Sequence, residues 1–192
     1  MSARSVSSNV YDSSSKTALQ SAFLRLYAVR SCGAIIVRLL CSEVSVARST
    51  FYAHYGNLAE LKSSIEDHLI ADLQRAGAEH FSCPVQPLDL KAHMRGVIAG
   101  IIGSWDANYL FLVVRPNLEY IDKWKQKIRD RVLLLLDSRL APADRDFRSE
   151  VIASGLIGAY TYLLQKPKTS WPAIPDHYAA QLLQLLVFPA DL

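Results

Sequence analysis

Apolar residues along this chain recur at intervals of three and four, and no stretch holds the strict alternation of a half-buried strand. Leu19, Phe23, Leu26 and Tyr27 share one face and predict a helix over 16–30. Shorter patterns predict helices over 37–43 and 48–54, with Phe51 and Tyr55 facing inward beside Val44 and Val46 across the intervening turn. Leu61, Ile65, Leu69 and Leu73 recur four apart and predict a longer helix over 58–79. The cluster Cys83-Pro-Val-Gln-Pro87 breaks the pattern, and helices are expected over 88–105 and 109–114 with a turn at Asp106–Asn108. Pro116 suits the first turn of a further helix, which carries Leu118, Ile121, Trp124, Ile128, Val132 and Leu135 and reaches 140. Asp144 is the expected N-cap of a helix over 145–165, and the Pro-rich segment Lys166–Pro175 separates it from a last amphipathic helix over 176–187. The expected class is all-α. Residues 1–15 are serine-rich without an apolar pattern and read as a disordered arm.

Composition narrows the function. Of the 192 residues, 51% are hydrophobic and only 20% charged, which is apolar for a monomer and points to surface buried in an oligomer or around a ligand. No apolar run reaches the length of about 18 residues that spans a bilayer, and the amino terminus lacks the apolar core of a secretion signal. No membrane partner is implied, and a cytoplasmic location is expected. Cys32, Cys41 and Cys83 are odd in number and hold no Cys-x-x-Cys spacing, so reduced thiols are expected. The five histidines show no metal-ligand spacing, and neither a phosphate-binding glycine loop nor a nucleophile elbow is present. Neither an enzyme, a metal nor a cofactor is expected. The net charge of +3 permits a nucleic-acid partner. Its placement says more: before Gly56, Arg4, Lys16, Arg25, Arg30, Arg38 and Arg48 face only Asp12 and Glu43.

The segment from Val46 to Leu61, Val-Ala-Arg-Ser-Thr-Phe-Tyr-Ala-His-Tyr-Gly-Asn-Leu-Ala-Glu-Leu, concentrates hydroxyl, imidazole and guanidinium groups on a short helix. Such donors suit phosphate oxygens. With Leu26-Tyr27 ending the first helix, Leu40-Cys41 in the second, and Val44-Ser45-Val46-Ala47 at the turn, it resembles the DNA-binding domain of TetR (tetracycline-repressor-type) regulators. The family pattern Gly-Thr-Leu/Phe-Tyr-x-His-Phe is matched by Ser49-Thr50-Phe51-Tyr52-Ala53-His54-Tyr55, and the register holds from Lys16 to Leu61. Three positions depart from it. Ile35 and Ile36 stand where the second helix usually begins with Ser or Thr, Ala47 replaces the usual serine N-cap, and Leu58 replaces a lysine.

The resemblance implies a three-helix helix-turn-helix DNA-binding domain over 16–61 and a helical ligand-binding and dimerisation domain over 62–192. It implies double-stranded DNA as partner, with Lys16, Thr50, Tyr52, His54 and Tyr55 on the contact surface and Ala47, Arg48 and Ser49 at base edges. Arg48 has the fork geometry that matches guanine. It further implies a homodimeric, ligand-responsive regulator, a repressor on a palindromic operator. The alternative is a TetR-like dimer that binds a ligand or protein with weakened DNA binding.

Downstream aromatics offer two readings: ordinary core, or a cavity for a small apolar or aromatic effector lined by Trp105, Tyr109, Trp124 and Tyr160 with His93 and Arg115 as polar anchors. Ser154, Gly155, Gly158 and Ala159 form a small-residue strip which, with Tyr162, Leu182, Leu183 and Leu186, makes a candidate dimer interface.

Overall fold

The computed structural model describes residues 4–78, 87–136, 140–167, 177–179 and 181–182, and among these every regular element is helical. The chain divides into two compact units, Met1–His68 and Leu69–Leu192.

In the first unit, α1 runs Arg4–Val29. It begins at Arg4 rather than at Lys16, because no glycine or proline interrupts the backbone between these residues and the helix propagates through the serine-rich stretch. Leu19, Ala22, Phe23, Leu26 and Tyr27 are buried at the spacing of one helical face, and the rings of Phe23 and Tyr27 stack at 5.6 Å. After a short 3₁₀ turn at Cys32–Ala34 come α2 (Val37–Glu43) and α3 (Arg48–His54), both with the predicted bounds. Leu40, Cys41, Phe51 and Tyr55 pack inward from them. The turn between them is tight: Val46 N donates to Cys41 O at 3.1 Å, and Ser45 adopts φ 54°.

The next helix, α4 (Leu58–Ala78), begins with reciprocal capping: Asn57 Oδ1 accepts from Glu60 N at 2.9 Å while Glu60 Oε2 accepts from Gly56 N at 2.7 Å. Leu61, Ile65, Leu69, Ile70 and Leu73 are buried along it, together with the carboxylate of Glu66, which pairs with Lys62 at 3.2 Å.

In the second unit, α5 (Pro87–Gly103) and α6 (Trp105–Tyr109) follow. A π-helical turn, Leu110–Val114, extends α6, and its bonding shows in Arg115 N donating to Leu110 O at 2.9 Å. The two arms, Lys91–Gly103 and Trp105–Val114, meet at 86°. The break therefore falls at Ser104, and Asp106–Asn108, expected as a turn, is helical. Asn108 explains why. Its amide donates to Ile101 O at 3.3 Å, across the bend, and to Ser104 O at 3.1 Å, beside the backbone bond that Asn108 N makes to the same carbonyl. Its oxygen accepts from Tyr120 Oη at 2.6 Å, and both side chains are buried. Among the described residues, no single helix is long and apolar enough to cross a membrane.

Pro116 lies just outside α7 (Leu118–Leu135), whose N-cap is Asn117, accepting from Tyr120 N. α8 (Pro142–Leu164) starts ahead of the expected Asp144 cap: Pro142 takes the first turn, where a missing N–H is harmless, and Ala141 is the cap residue. Gly100 lets α5 approach the end of α4 closely, since a Cβ there would lie 3.2 Å from Leu73 Cδ2 and Ala76 Cβ. Phe111, Tyr120, Trp124 and Tyr160 form a ladder of rings through the core, with centroid separations of 5.4, 6.0 and 5.3 Å. Across α7 and α8, Lys125 and Arg129 reach Glu150 at 2.9 and 3.6 Å, and Arg129 also pairs with Asp146.

Candidate nucleic-acid interface

α3 is held from beneath and presented outward. Phe51 is fully buried under it and meets Tyr52 edge-on at 5.3 Å, while Tyr52 itself is 58% exposed. The residues before and beside them, Ala47, Arg48 and Ser49, are exposed; Thr50 and His54 are half-buried. One short helix thus displays a guanidinium, a hydroxyl and a phenol on a rigid apolar footing. Ala47 supplies its carbonyl to Thr50 N at 3.0 Å, but no side chain caps the N–H groups of the first turn. The same is true of α2, where Ile36 occupies the cap position and is 49% exposed.

The electrostatics follow the expected bias. Lys16, Arg25, Arg30, Arg38 and Arg48 are all exposed in the first unit. Burial pushes the Cys41 thiol above its ordinary pKa, and the neighbouring Arg48 charge only partly opposes this, so the thiol stays neutral beneath α3. Glu60, the carboxylate nearest the end of α3 in sequence, is engaged with Gly56 N.

Tyr55 differs from the other members of the expected contact set. Its ring is 3% exposed, and its hydroxyl accepts from Gln20 Nε2 at 3.1 Å inside the unit, because the backbone after α3 turns the side chain toward α1 and α4. It is an internal residue. Sequence reasoning passed over Gln20 and Ser64, its neighbours, and also Asn57 with Glu60. The second pair was legible as an Asn-x-x-Glu capping signature; the first was signalled only by a tyrosine at a position where the family pattern has phenylalanine.

In the second unit, Trp124 and Tyr160 are buried and stacked on each other at 5.3 Å with planes 9° apart. Tyr160 Oη also lies 3.8 Å from Met94 Sδ, and burial holds its phenol far above the ordinary range. Trp105 and Tyr109 form a separate stack at 4.4 Å, and Trp105 Nε1 donates to Leu164 O at 3.0 Å. His93 is buried and Arg115 half-buried. The aromatic residues named from sequence therefore form two stacked pairs, Trp124 with Tyr160 in the core and Trp105 with Tyr109 half-buried.

On α8, Ser154, Gly155, Gly158 and Tyr162 are exposed and Ala159 half-buried, in line with Phe147 and Val151. Phe147 is 70% and Tyr162 53% exposed. Leu182 is buried within the chain. Leu183 and Leu186 lie outside the described residues.

No family model matches the chain, and no curated protein matches it in sequence. Among solved structures it is similar to the dihydroxyacetone kinase operon activator DhaS, with a TM-score of 0.55 and 16% identity over 89% of this chain and 93% of that one. At that identity the likeness is one of architecture: an all-α, TetR-like fold with a helix-turn-helix unit ahead of a larger helical unit.

Proposed function

We propose that this protein is a homodimeric DNA-binding transcriptional regulator of the TetR type, which represses by occupying successive major grooves of a near-palindromic site. The observation that carries the reading is α3 itself: Arg48, Ser49 and Tyr52 exposed over buried Phe51, in a unit where, among the described residues, exposed cations outnumber exposed acids. Arg48 and Ser49 meet base edges; Tyr52, Thr50, His54 and Lys16 meet phosphate. The name of DhaS describes an operon activator, which favours a regulatory role and leaves both signs of regulation open to a reporter assay.

Dimerisation is part of the same reading. A single head grips one half-site, and tethering a second multiplies affinity. The exposed stripe Phe147, Val151, Ser154, Gly155, Gly158 and Tyr162 on α8 supports it, since small residues flanked by large apolar ones let two helices pack closely. An apolar or aromatic effector in the second unit completes the proposal, and it acts only if it binds one arrangement of the two heads more tightly than another. A melting-temperature shift across a panel of aromatic compounds tests for it.

Binding to random-sequence duplex at low and at moderate salt tests the central claim. A regulator shows a steep loss of affinity with salt, and Arg48→Ala weakens its preferred duplex by roughly tenfold. Absence of binding at low salt sinks the reading. It would favour the second one, a TetR-like interaction or ligand-binding dimer, for which the uncapped N-termini at Ile36 and Ala47 are the specific observation.

A further inference from the structure

The hydroxyl of Tyr55 is an addition to a buried ring, and a phenol taken out of water is unfavourable unless its oxygen is bonded. Here it is. Gln20 Nε2 donates to Tyr55 Oη at 3.1 Å and lies 3.4 Å from Ser64 Oγ. Three polar side chains meet at one point, and each comes from a different place: Gln20 from α1, Tyr55 from the residue that closes α3, and Ser64 from the second turn of α4. Burial keeps the phenol above its ordinary pKa, with the Ser64 and Gln20 bonds opposing and Glu60 adding to the rise, so it remains a neutral hydrogen-bonding group.

A phenylalanine in this place would be held by shape alone, which resists displacement but permits small rotations. Directional bonds resist rotation as well. That matters for α3 because no side chain caps its first turn, so directional side-chain bonds hold it at its closing end. A slight turn of the helix about its axis there carries Arg48 and Ser49 with it. Long, flexible contacts to phosphate tolerate such a turn, whereas a bidentate contact to a base edge does not.

We propose that Gln20, Tyr55 and Ser64 form a positioning triad for the recognition helix, which sets its aim at base edges rather than its grip on phosphate. The proposal rests on the DNA-binding reading above and adds to it three residues that touch no DNA.

The test uses the full chain. Wild-type protein selects its tightest duplex from a randomised pool, and affinity is then measured for that duplex and for unselected random duplex. Wild type, Tyr55→Phe and Ser64→Ala are compared at a temperature where circular dichroism shows each fully folded. Tyr55→Phe is expected to weaken the selected duplex by about three- to tenfold and to leave the random duplex and its salt slope unchanged. Ser64→Ala should act in the same direction, and the double variant should be no worse than the worse single one, because both break the same joint. Unchanged discrimination in Tyr55→Phe, or an equal fall on both duplexes, overturns the triad alone. A wild-type chain that retains no duplex overturns the DNA-binding reading and the triad with it.

Discussion

Ser45 holds φ 54°, a left-handed conformation in which its Cβ crowds the following carbonyl. Glycine, having no Cβ, takes this conformation without that cost. Relief of the Cβ strain, less the extra chain entropy glycine loses on folding, leaves Ser45→Gly more stable by about 1 kcal/mol. Urea denaturation checks this, and a destabilised variant would show the hydroxyl to be worth more than the strain. A second residue-scale expectation concerns Tyr120. Its hydroxyl is the donor to Asn108 Oδ1 at 2.6 Å, and both residues are fully buried. Tyr120→Phe leaves that oxygen without this donor and should cost about 1–3 kcal/mol, read as a lower urea midpoint at an unchanged m-value. Replacing Asn108 itself with leucine should cost more, since it also removes the side-chain amide that donates to Ile101 O, while Ser104 O keeps the backbone N–H of residue 108. Neither bond was legible in the sequence. Asn108 and Tyr120 are twelve residues apart and meet only because the chain turns sharply between them, so pattern reading registered a polar residue and assigned it to a turn.

At the scale of elements, periodicity located α2 and α3 to the residue because Leu40, Cys41, Phe51 and Tyr55 must all face inward on either side of one tight turn. It failed at the start of α1 and at Ser104, where the deciding features are a lack of breakers in one case and a buried amide in the other. The pairing of α7 with α8 was outside its reach altogether, since charged residues on exposed faces carry no periodic signal of partnership. That pairing has a pH signature. The hydrogen bond from Lys125 holds the Glu150 carboxyl below the ordinary value of 4.5, with burial opposing and the Lys125 charge, Ser154 and Arg129 helping. A depressed carboxylate stabilises the folded state above its unfolded pKa, and that contribution disappears as pH falls through the folded value. Glu150→Gln should therefore be less stable than wild type at neutral pH, and the gap should close as pH drops below 4.5. A gap that stays constant through the titration would show that the pair contributes through packing alone. High salt should shrink it as well, because the partners are partly exposed.

For the whole molecule, the helix-turn-helix unit could be read from sequence because Leu26, Tyr27, Leu40, Cys41 and Phe51, which the TetR-type pattern aligns, are the residues its small core buries. The second unit could be read only as helical. Its aromatic residues look the same in a sequence whether they line a cavity or stack on each other, and Trp124 with Tyr160 do the latter. The α8 stripe allows a test at this scale. Gly158 sits inside a helix, where alanine is favoured by about 0.5–1 kcal/mol, and a Cβ placed there would meet no atom of its own chain within 4 Å. Gly158→Ala should thus raise the melting temperature in very dilute solution and lower it, relative to wild type, in concentrated solution, with sedimentation reporting weaker self-association. Stabilisation at every concentration would place the proposed interface elsewhere. A methyl group that its own subunit welcomes can be unwelcome only to a neighbour, so the crossing of two dilution curves detects the absent twin without any label, crosslinker or knowledge of the operator.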